Sequence, residues 1–377
     1  MLIKDLKRWA GEKGLVLGVA PAQPFKRGKE ALQWRVKMGL KTPFSTGKLE
    51  ERYQPSLLYP EARSIIVVAM ANKERKDNKL PGANFIASYA IGPDYHKELY
   101  VKLNGLVMLL KQAGAKLAAI QVDSGPLLER EAACLAGIGY YGDNCNLIIK
   151  GMGSQASLGL VITDLEIADK EKTEQNILNN CQNCGRCFSS CPTGALKAPG
   201  LLNPQLCLSY LTQRRGIIPV EFRPLMTNYI WGCDICQEVC PTNFKEKQAI
   251  SDWETINKHM DFPQKLQPES VISDLSRIIS MDKADFNQIF GNTALAWRGK
   301  NILQRNTAIV LGNLANPAAL APLEQAIKSP SAVVRGHAAW ALGRLGRVSR
   351  HILEKAFSEE KDKWVRHEIK TQLDKLI

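Results

Sequence analysis

Cys181-Gln182-Asn183-Cys184-Gly185-Arg186-Cys187-Phe188-Ser189-Ser190-Cys191-Pro192 is a C-x-x-C-x-x-C-x-x-x-C-P run, and Trp231-Gly232-Cys233-Asp234-Ile235-Cys236-Gln237-Glu238-Val239-Cys240-Pro241 repeats all but its first cysteine. Three thiolates two residues apart wrap one cube-shaped iron–sulfur cluster. The fourth, beyond a three-residue gap, points to a second cluster. This assigns Cys181, Cys184, Cys187 and Cys240 to one 4Fe-4S cluster. The other takes Cys191, Cys233 and Cys236, with Cys207 completing the count that the shorter second run leaves one short. The proline closing each run ends the turn and has no amide to offer the sulfur.

Paired C-x-x-C units also build all-thiolate zinc sites, but those use two separated pairs and not four cysteines in one run. Ten cysteines in 377 residues is not disulfide density. The opening MLIKDLKRWAGEKG has no apolar signal core, which leads us to expect a reducing, cytoplasmic compartment. Cys134 and Cys145 have no ligand-like neighbours and read as small packed side chains.

With 45% hydrophobic residues the chain is long enough for two or three units with cores of their own. Its longest apolar runs, SIIVVAMA and LGLVIT, are strand-sized, so no membrane span is expected. Fifty Lys and Arg against 37 Asp and Glu leave a net charge of +13. That favours a polyanionic partner such as nucleic acid, or an acidic redox partner such as flavodoxin or ferredoxin.

The expected fold class is α+β, in four stretches. Residues 1–165 alternate helix signals (Leu2 to Lys13, Asp94 to Ala113) with buried strands (LVLGVA, SIIVVAMA, LAAIQV), giving an α/β or α+β catalytic domain. Residues 166–250 hold the cluster ligands in a ferredoxin-like domain, and 251–295 form a polar helical linker. Residues 296–377 then repeat at a spacing of 31: Leu311-Gly-Asn-Leu314 returns as Leu342-Gly-Arg-Leu345, Arg335 as Arg366, and Asn306, His337 and Glu368 share the offset. That is a HEAT-like helical hairpin repeat, a ridge for a partner. Lys and Arg outnumber Asp and Glu there by roughly two to one, as a phosphate backbone requires. The bland reading is that these arginines only cap and solvate the helices.

For catalysis, the G-x-G-x-x-G match Gly137 to Gly142 has a helix before it and a strand after, the reverse of a dinucleotide fingerprint. VDSGPLLERE is more informative. Asp123 follows an apolar strand, where α/β enzymes place reactive side chains, and burial against an apolar cofactor face would raise its pKa toward neutrality. Its alternative role is to cap the helix after Pro126. Tyr89, Asp94, Tyr95 and His96 crowd a second helix start, where a lone histidine is more often structural than a ligand.

VDSGPLLER, GIGYYGDNCNLI, the four-cysteine run, CLSYLTQ from Cys207 and WGCDICQEVCP together resemble the epoxyqueuosine reductase family across nearly the whole chain. The resemblance implies a cobalamin-dependent enzyme with two 4Fe-4S clusters that reduces epoxyqueuosine to queuosine at the wobble position of tRNA, the last step of queuosine biosynthesis. Attack on the epoxide would come from cob(I)alamin, with electrons relayed through the clusters. Cobalamin enters through the resemblance alone. By the same route Asp123 matches the proton donor and a cofactor-binding position. Arg52, Leu147, Leu158, Trp231, Gly232, Cys233 and Asp234 match positions lining the corrin, and Gln213, Arg214, Arg298, Lys300 and Arg305 would face the tRNA anticodon arm. The chain departs from the family at Asp143, where lysine is common. An external donor such as flavodoxin or ferredoxin, and a monomer, are expected. Two rival readings are a cobalamin and iron–sulfur reductive dehalogenase acting on a small molecule, and an electron-transfer module whose repeats dock a protein.

Overall fold

Strand β1 (Leu15–Pro21) pairs with β2 (Ser64–Ala71), the SIIVVAMA run, in a four-stranded sheet completed by β3 (Ala118–Gln121) and β6 (Ala156–Thr163). Between the last two, β4 (Gly139–Tyr141) and β5 (Leu147–Ile149) form a hairpin. The computed structural model describes residues 2–41, 44–72, 80–169, 181, 183–226, 229–244 and 268–376. Of the expected polar helical stretch, residues 251–267 lie outside these.

The sheet order is β1-β2-β6-β3 and every ladder is antiparallel, so the alternating helix and strand signals build an α+β layer. β2 is apolar at successive positions because both faces are covered. Ile65, Val67 and Ala69 pack with Leu160 and Ile162 toward Leu32 of α2 (Lys26–Lys37) and Ala132 and Ala133 of α4 (Glu129–Leu135). Ile66 and Val68 point the other way, with Val161, against Leu6 of α1 (Leu2–Glu12) and Leu99, Leu103 and Leu106 of α3 (Tyr95–Gln112). Each such side chain contributes about 1.5–3 kcal/mol on burial. Asp94 caps α3, accepting the His96 amide at 3.0 Å. This first compact unit comprises Met1–Asn72, Asp94–Cys207 and Ile235–Ala249, and includes the short helices α5 (Arg186–Ser189) and α7 (Ile235–Glu238).

The second unit comprises Lys73–Pro93, Leu208–Asp234 and Ile250–Ile377. Helices α8 (Pro268–Ser280) and α9 (Lys283–Phe290) precede the repeats. In these, α10 (Lys300–Leu314), α12 (Ala332–Arg344) and α14 (Lys363–Lys375) lie side by side, with α11 (Leu320–Ala326) and α13 (Arg350–Glu359) between them in sequence. The 31-residue period follows from close packing: a Cβ on Gly312 would stand 2.8 Å from Ala341 Cα, and one on Gly343 would meet the Gln372 side chain. The L-G-x-L signature therefore marks where inner helices touch. Among the described residues no helix is long and apolar enough to cross a membrane.

Two helical glycines give a contrast. Gly11 has open space where a Cβ would go, whereas Gly312 faces backbone. Gly11→Ala is expected to stabilise the protein by up to about 1 kcal/mol. Gly312→Ala is expected to destabilise it by about 1–3 kcal/mol through overpacking. Urea unfolding of both variants checks the pair, and a neutral Gly312→Ala would contradict the packing account.

Candidate active site and cluster ligands

Strand β3 delivers Asp123 at its end, in the left-handed region with φ 54°, and the loop is held there by its neighbours. The Asp123 amide donates to Glu129 Oε1 at 2.7 Å, and Gln121 Nε2 donates to Leu127 O at 3.0 Å and Glu129 Oε1 at 3.3 Å. The Leu127 amide donates back to Gln121 Oε1 at 3.2 Å. Such strain in a non-glycine residue persists only where its surroundings fix it. Asp123 does not cap α4, whose N-cap is Leu128.

The Asp123 carboxylate faces His96 Nε2 at 3.1 Å, while His96 Nδ1 lies 2.6 Å from Asp94 Oδ1. Both ring nitrogens thus meet carboxylates. Burial pulls the His96 pKa down, but the bonds to Asp123 and Asp94 outweigh it and the net shift is upward. On the protein's own side chains the His96 hydrogen bond comes first and holds Asp123 below the usual carboxylate value, against an opposing upward push from burial. The Asp123 side chain is 61% exposed, so a further group laid over it would add to that push. The acid that is lifted is Glu129, pushed to about 8 by burial and then by the Asp123 charge.

Asp123 lies on the rim of a cavity of about 750 Å³ whose wall includes Arg27, Arg35, Arg52, Arg130 and Cys145. Burial, then Arg35 and Arg130, depress the Arg52 pKa, and Arg130 Nη1 donates to Cys145 O at 2.6 Å. Cys145 is itself left-handed, with φ 63°, and half-buried, and burial raises its thiol pKa. Cys134 is a packed side chain: burial pushes its thiol up to about 12. Leu147 is buried in the core beneath the hairpin, and Leu158 is half-buried on β6.

Cys181, Cys184, Cys187 and Cys240 come together in the first unit. Burial, then the charges of Asp143, Cys181, Cys184 and Cys240, push the Cys187 thiol up to about 11. Mutual repulsion of that kind is what a multivalent iron centre relieves. Among the described residues no three or more His, Cys, Asp or Glu side chains are gathered closely enough for a single metal ion; a four-iron cube needs its thiolates further apart than one ion does. None of the ten cysteines forms a disulfide. The hairpin loop after β4 reaches the second run, where Asn144 Nδ2 donates to Cys236 O at 3.2 Å and Asn146 Nδ2 to Cys236 Sγ at 3.9 Å. Asp143 is buried. Cys191 and Cys207 lie in the same unit and Cys233 in the other, all three half-buried.

In the second unit Trp231 is fully buried, and Gly232 is left-handed (φ 68°) with a Cβ position filled by Ala87 and Tyr89. Asp234 is buried and accepts the Ser88 amide at 2.6 Å. Of the residues expected to face RNA, Gln213 and Arg214 are half-exposed after helix α6 (Leu208–Gln213), Arg298 stacks 3.6 Å over the Trp297 ring, and Lys300 Nζ donates to Gln304 Oε1 at 3.2 Å. Arg305 is a correction. It is fully buried, pulled down to about 9 by burial, and donates to the carbonyls of Leu211, Thr212, Arg214 and Gly216, so it serves the protein interior. Two residues the sequence reading passed over, Trp297 (52% exposed) and the exposed Arg215, belong with Arg298 on this edge; the W-R-G-K order was the available signal.

Three family models match the chain: "Epoxyqueuosine reductase QueG, DUF1730" over residues 52–124, "4Fe-4S double cluster binding domain" over 180–243, and "HEAT repeats" over 298–373. The epoxyqueuosine reductase of Bacillus subtilis strain 168 is 33% identical over 368 residues, covering 96% of this chain and 92% of the relative. A solved epoxyqueuosine reductase with a tRNA-Tyr epoxyqueuosine-modified stem loop superposes with a TM-score of 0.85 at 32% identity, covering 100% of this chain and 98% of that one. The Bacillus subtilis structure with its catalytic aspartate loop swung out of the active site gives a TM-score of 0.84 at 32% identity, covering 100% and 99%.

Glu129 yields a pH test. Its folded pKa of about 8 lies above the ordinary 4.5, so folding takes up a proton between these values and stability falls as pH rises from 4.5 to 8. Glu129→Gln keeps an acceptor for the Asp123 amide without this penalty. Its stability gain over the native chain should grow across that window and then level off in urea melts at stepped pH. A gain independent of pH would show that Glu129 is not held protonated.

Proposed function

Because the chain belongs to the epoxyqueuosine reductase family, we propose that it reduces epoxyqueuosine to queuosine at the wobble position of tRNA, the last step of queuosine biosynthesis. The observation that carries this reading is the pairing, in one chain, of a double 4Fe-4S domain with a strand-end aspartate loop on a cationic cavity. The overall change balances as epoxide plus two electrons and two protons giving an alkene and water.

Cys181, Cys184, Cys187 and Cys240 hold one cluster, and Cys191, Cys207, Cys233 and Cys236 the other. The Asn146 side chain at Cys236 donates to a ligand sulfur, one of the levers by which a protein sets a cluster's potential. A flavodoxin or ferredoxin supplies the electrons, and the chain works as a monomer in the cytoplasm. Cobalamin comes with the family, and the mutually repelling arginines of the cavity favour a ligand that brings an anion, as the phosphodiester of the corrin's nucleotide loop does; of the expected corrin contacts, Arg52 and Asp123 line that cavity. Arg52, Leu147, Leu158 and the Trp231–Asp234 stretch would hold it. When bound, cobalamin supplies a nucleophilic metal centre suited to opening a strained ring.

The chain's own residues handle protons and RNA. His96 holds a proton against Asp123, and Asp94 on the far ring nitrogen keeps the imidazole oriented. A substrate that displaces water from Asp123 weakens its carboxylate form and draws that proton to the carboxyl oxygen, from which it passes to the epoxide oxygen. On the RNA side, Arg214, Arg215 and Lys300 meet phosphates while the exposed Trp297–Arg298 stack offers a platform for an unpaired base. A dehalogenase acting on a small molecule would leave that edge without a use.

Asp123→Asn should keep iron content and cobalamin uptake while cutting single-turnover conversion of modified tRNA by about a hundredfold or more; unchanged turnover removes Asp123 from the proton step. Arg298→Ala should weaken binding of an anticodon stem loop and flatten its log-log salt dependence by about one unit. A slope equal to the native one would take Arg298 off the RNA.

A further inference from the structure

Asn306, His337 and Glu368 occupy the same place in successive repeats, on α10, α12 and α14. All three are buried, and each spends its side chain on a partner outside the repeats. Asn306 Nδ2 donates to Thr212 O and Ile230 O, each at 2.7 Å. His337 Nε2 accepts the Ile218 amide at 3.1 Å. Glu368 pairs with both terminal nitrogens of Arg223, at 3.0 and 3.1 Å. Three equivalent positions therefore grip one segment in order, at 212, 218 and 223, and close it again at 230.

That segment needs gripping. Between α6 and Trp231 its only described regular element is a single 3-10 turn at Val220–Phe222; the amides of Phe222, Arg223, Leu225 and Met226 bond carbonyls within the segment, and its other described backbone groups must find partners elsewhere. The repeats supply them. Besides the three rungs, Arg305 donates to four carbonyls of residues 211–216, and Asn313 Nδ2 donates to Arg223 O at 2.9 Å. Arg223, itself buried, bonds Ile218 O at 2.9 Å and lies over the Trp340 ring. His337 is held as the neutral tautomer with its proton on Nδ1, since Nδ1 faces Val333 O and Nε2 faces an N–H. The face that a helical repeat protein commonly offers to a partner is thus taken, along these rungs, by the chain's own segment.

We infer that Asn306, His337 and Glu368 are positioning residues, a ladder that fixes the described residues of segment 211–230 and with them the turn at Gln213–Gly216 that presents Arg214 and Arg215. The RNA clause of this inference rests on the function proposed above. Asn306 matters most, because it joins the two ends of the segment: Thr212 O at one end and Ile230 O at the other, with Thr212 Oγ1 also accepting the Gly232 amide at 2.9 Å. One side chain therefore ties the RNA-facing turn to the stretch that runs into Cys233.

Site-resolved hydrogen exchange on the full chain tests the rungs. Asn306→Asp should speed exchange at Arg214 and Gly232, His337→Asn (too short to reach) at Ile218, and Glu368→Gln at Arg223 and Met226, each by about tenfold or more. His337→Gln, which keeps an acceptor in reach, should restore the native rate at Ile218. Rates unchanged throughout, or the same diffuse increase in every variant, would overturn the ladder; the Gln and Asn forms of His337 preserve the test should another variant fail to fold. Binding of a labelled anticodon stem-loop RNA then tests the coupling. If Asn306→Asp leaves the turn in its binding geometry about a tenth of the time, affinity drops about tenfold. Native affinity in Asn306→Asp, alongside weakened binding in Arg215→Ala, would refute the positioning role. Native affinity in both would instead remove the turn from the RNA and leave the rungs standing.

Discussion

Backbone that carries no regular structure has to be held by something else, and this constraint governs both halves of the protein. A cluster-bearing loop cannot satisfy its own amides and carbonyls as a helix or sheet does, and it buries little apolar surface of its own. In the first unit the answer is the β4–β5 hairpin, whose Asn144 and Asn146 reach the backbone and sulfur of Cys236. In the second it is a set of helical repeats whose inner side chains turn outward onto segment 211–230. Both scaffolds are rigid for ordinary reasons, an apolar sheet covered on two faces and helices packed through glycine. Each spends that rigidity on a stretch that lacks it.

The same logic explains a buried ion pair that adds little stability by itself. Taking Arg223 and Glu368 out of water costs about as much as their attraction returns. The arrangement makes sense once Arg223 is seen to bond Ile218 O as well, so that one guanidinium fixes two turns of an irregular segment. Removing either partner would strand the other charge in the interior, which is costly.

Much of this was legible in the residues. The strand runs, the helix capped by Asp94, the cysteine grouping around Cys187 and the 31-residue repeat all follow from periodicity and spacing, and periodicity survives folding because it reports which face is covered. What was not legible depends on contacts far apart in sequence. Arg305 looks like a surface cation in a basic tail; only the carbonyls of residues 211–216, some ninety positions away, make it an interior residue. The apolar strand before Asp123 marks it as a strand-end residue, but that strand says nothing about which side chain its carboxylate meets. Its low pKa comes from His96, which the chain order separates from it by a helix.

The position of the proton is therefore a property of the triad His96, Asp123 and Glu129, and not of any one member. With Asp123 ionised beside His96, a second carboxylate at Glu129 would place two like charges on one short loop, and burial settles the conflict by keeping Glu129 protonated. The hydrogen bond from the Asp123 amide to Glu129 Oε1 then fixes a backbone angle that aspartate would otherwise avoid. Charge state and loop geometry are thus one equilibrium. Ionising Glu129 strengthens its hold on the amide but repels the Asp123 carboxylate, so the loop is drawn closed at its backbone and pushed open at its side chain.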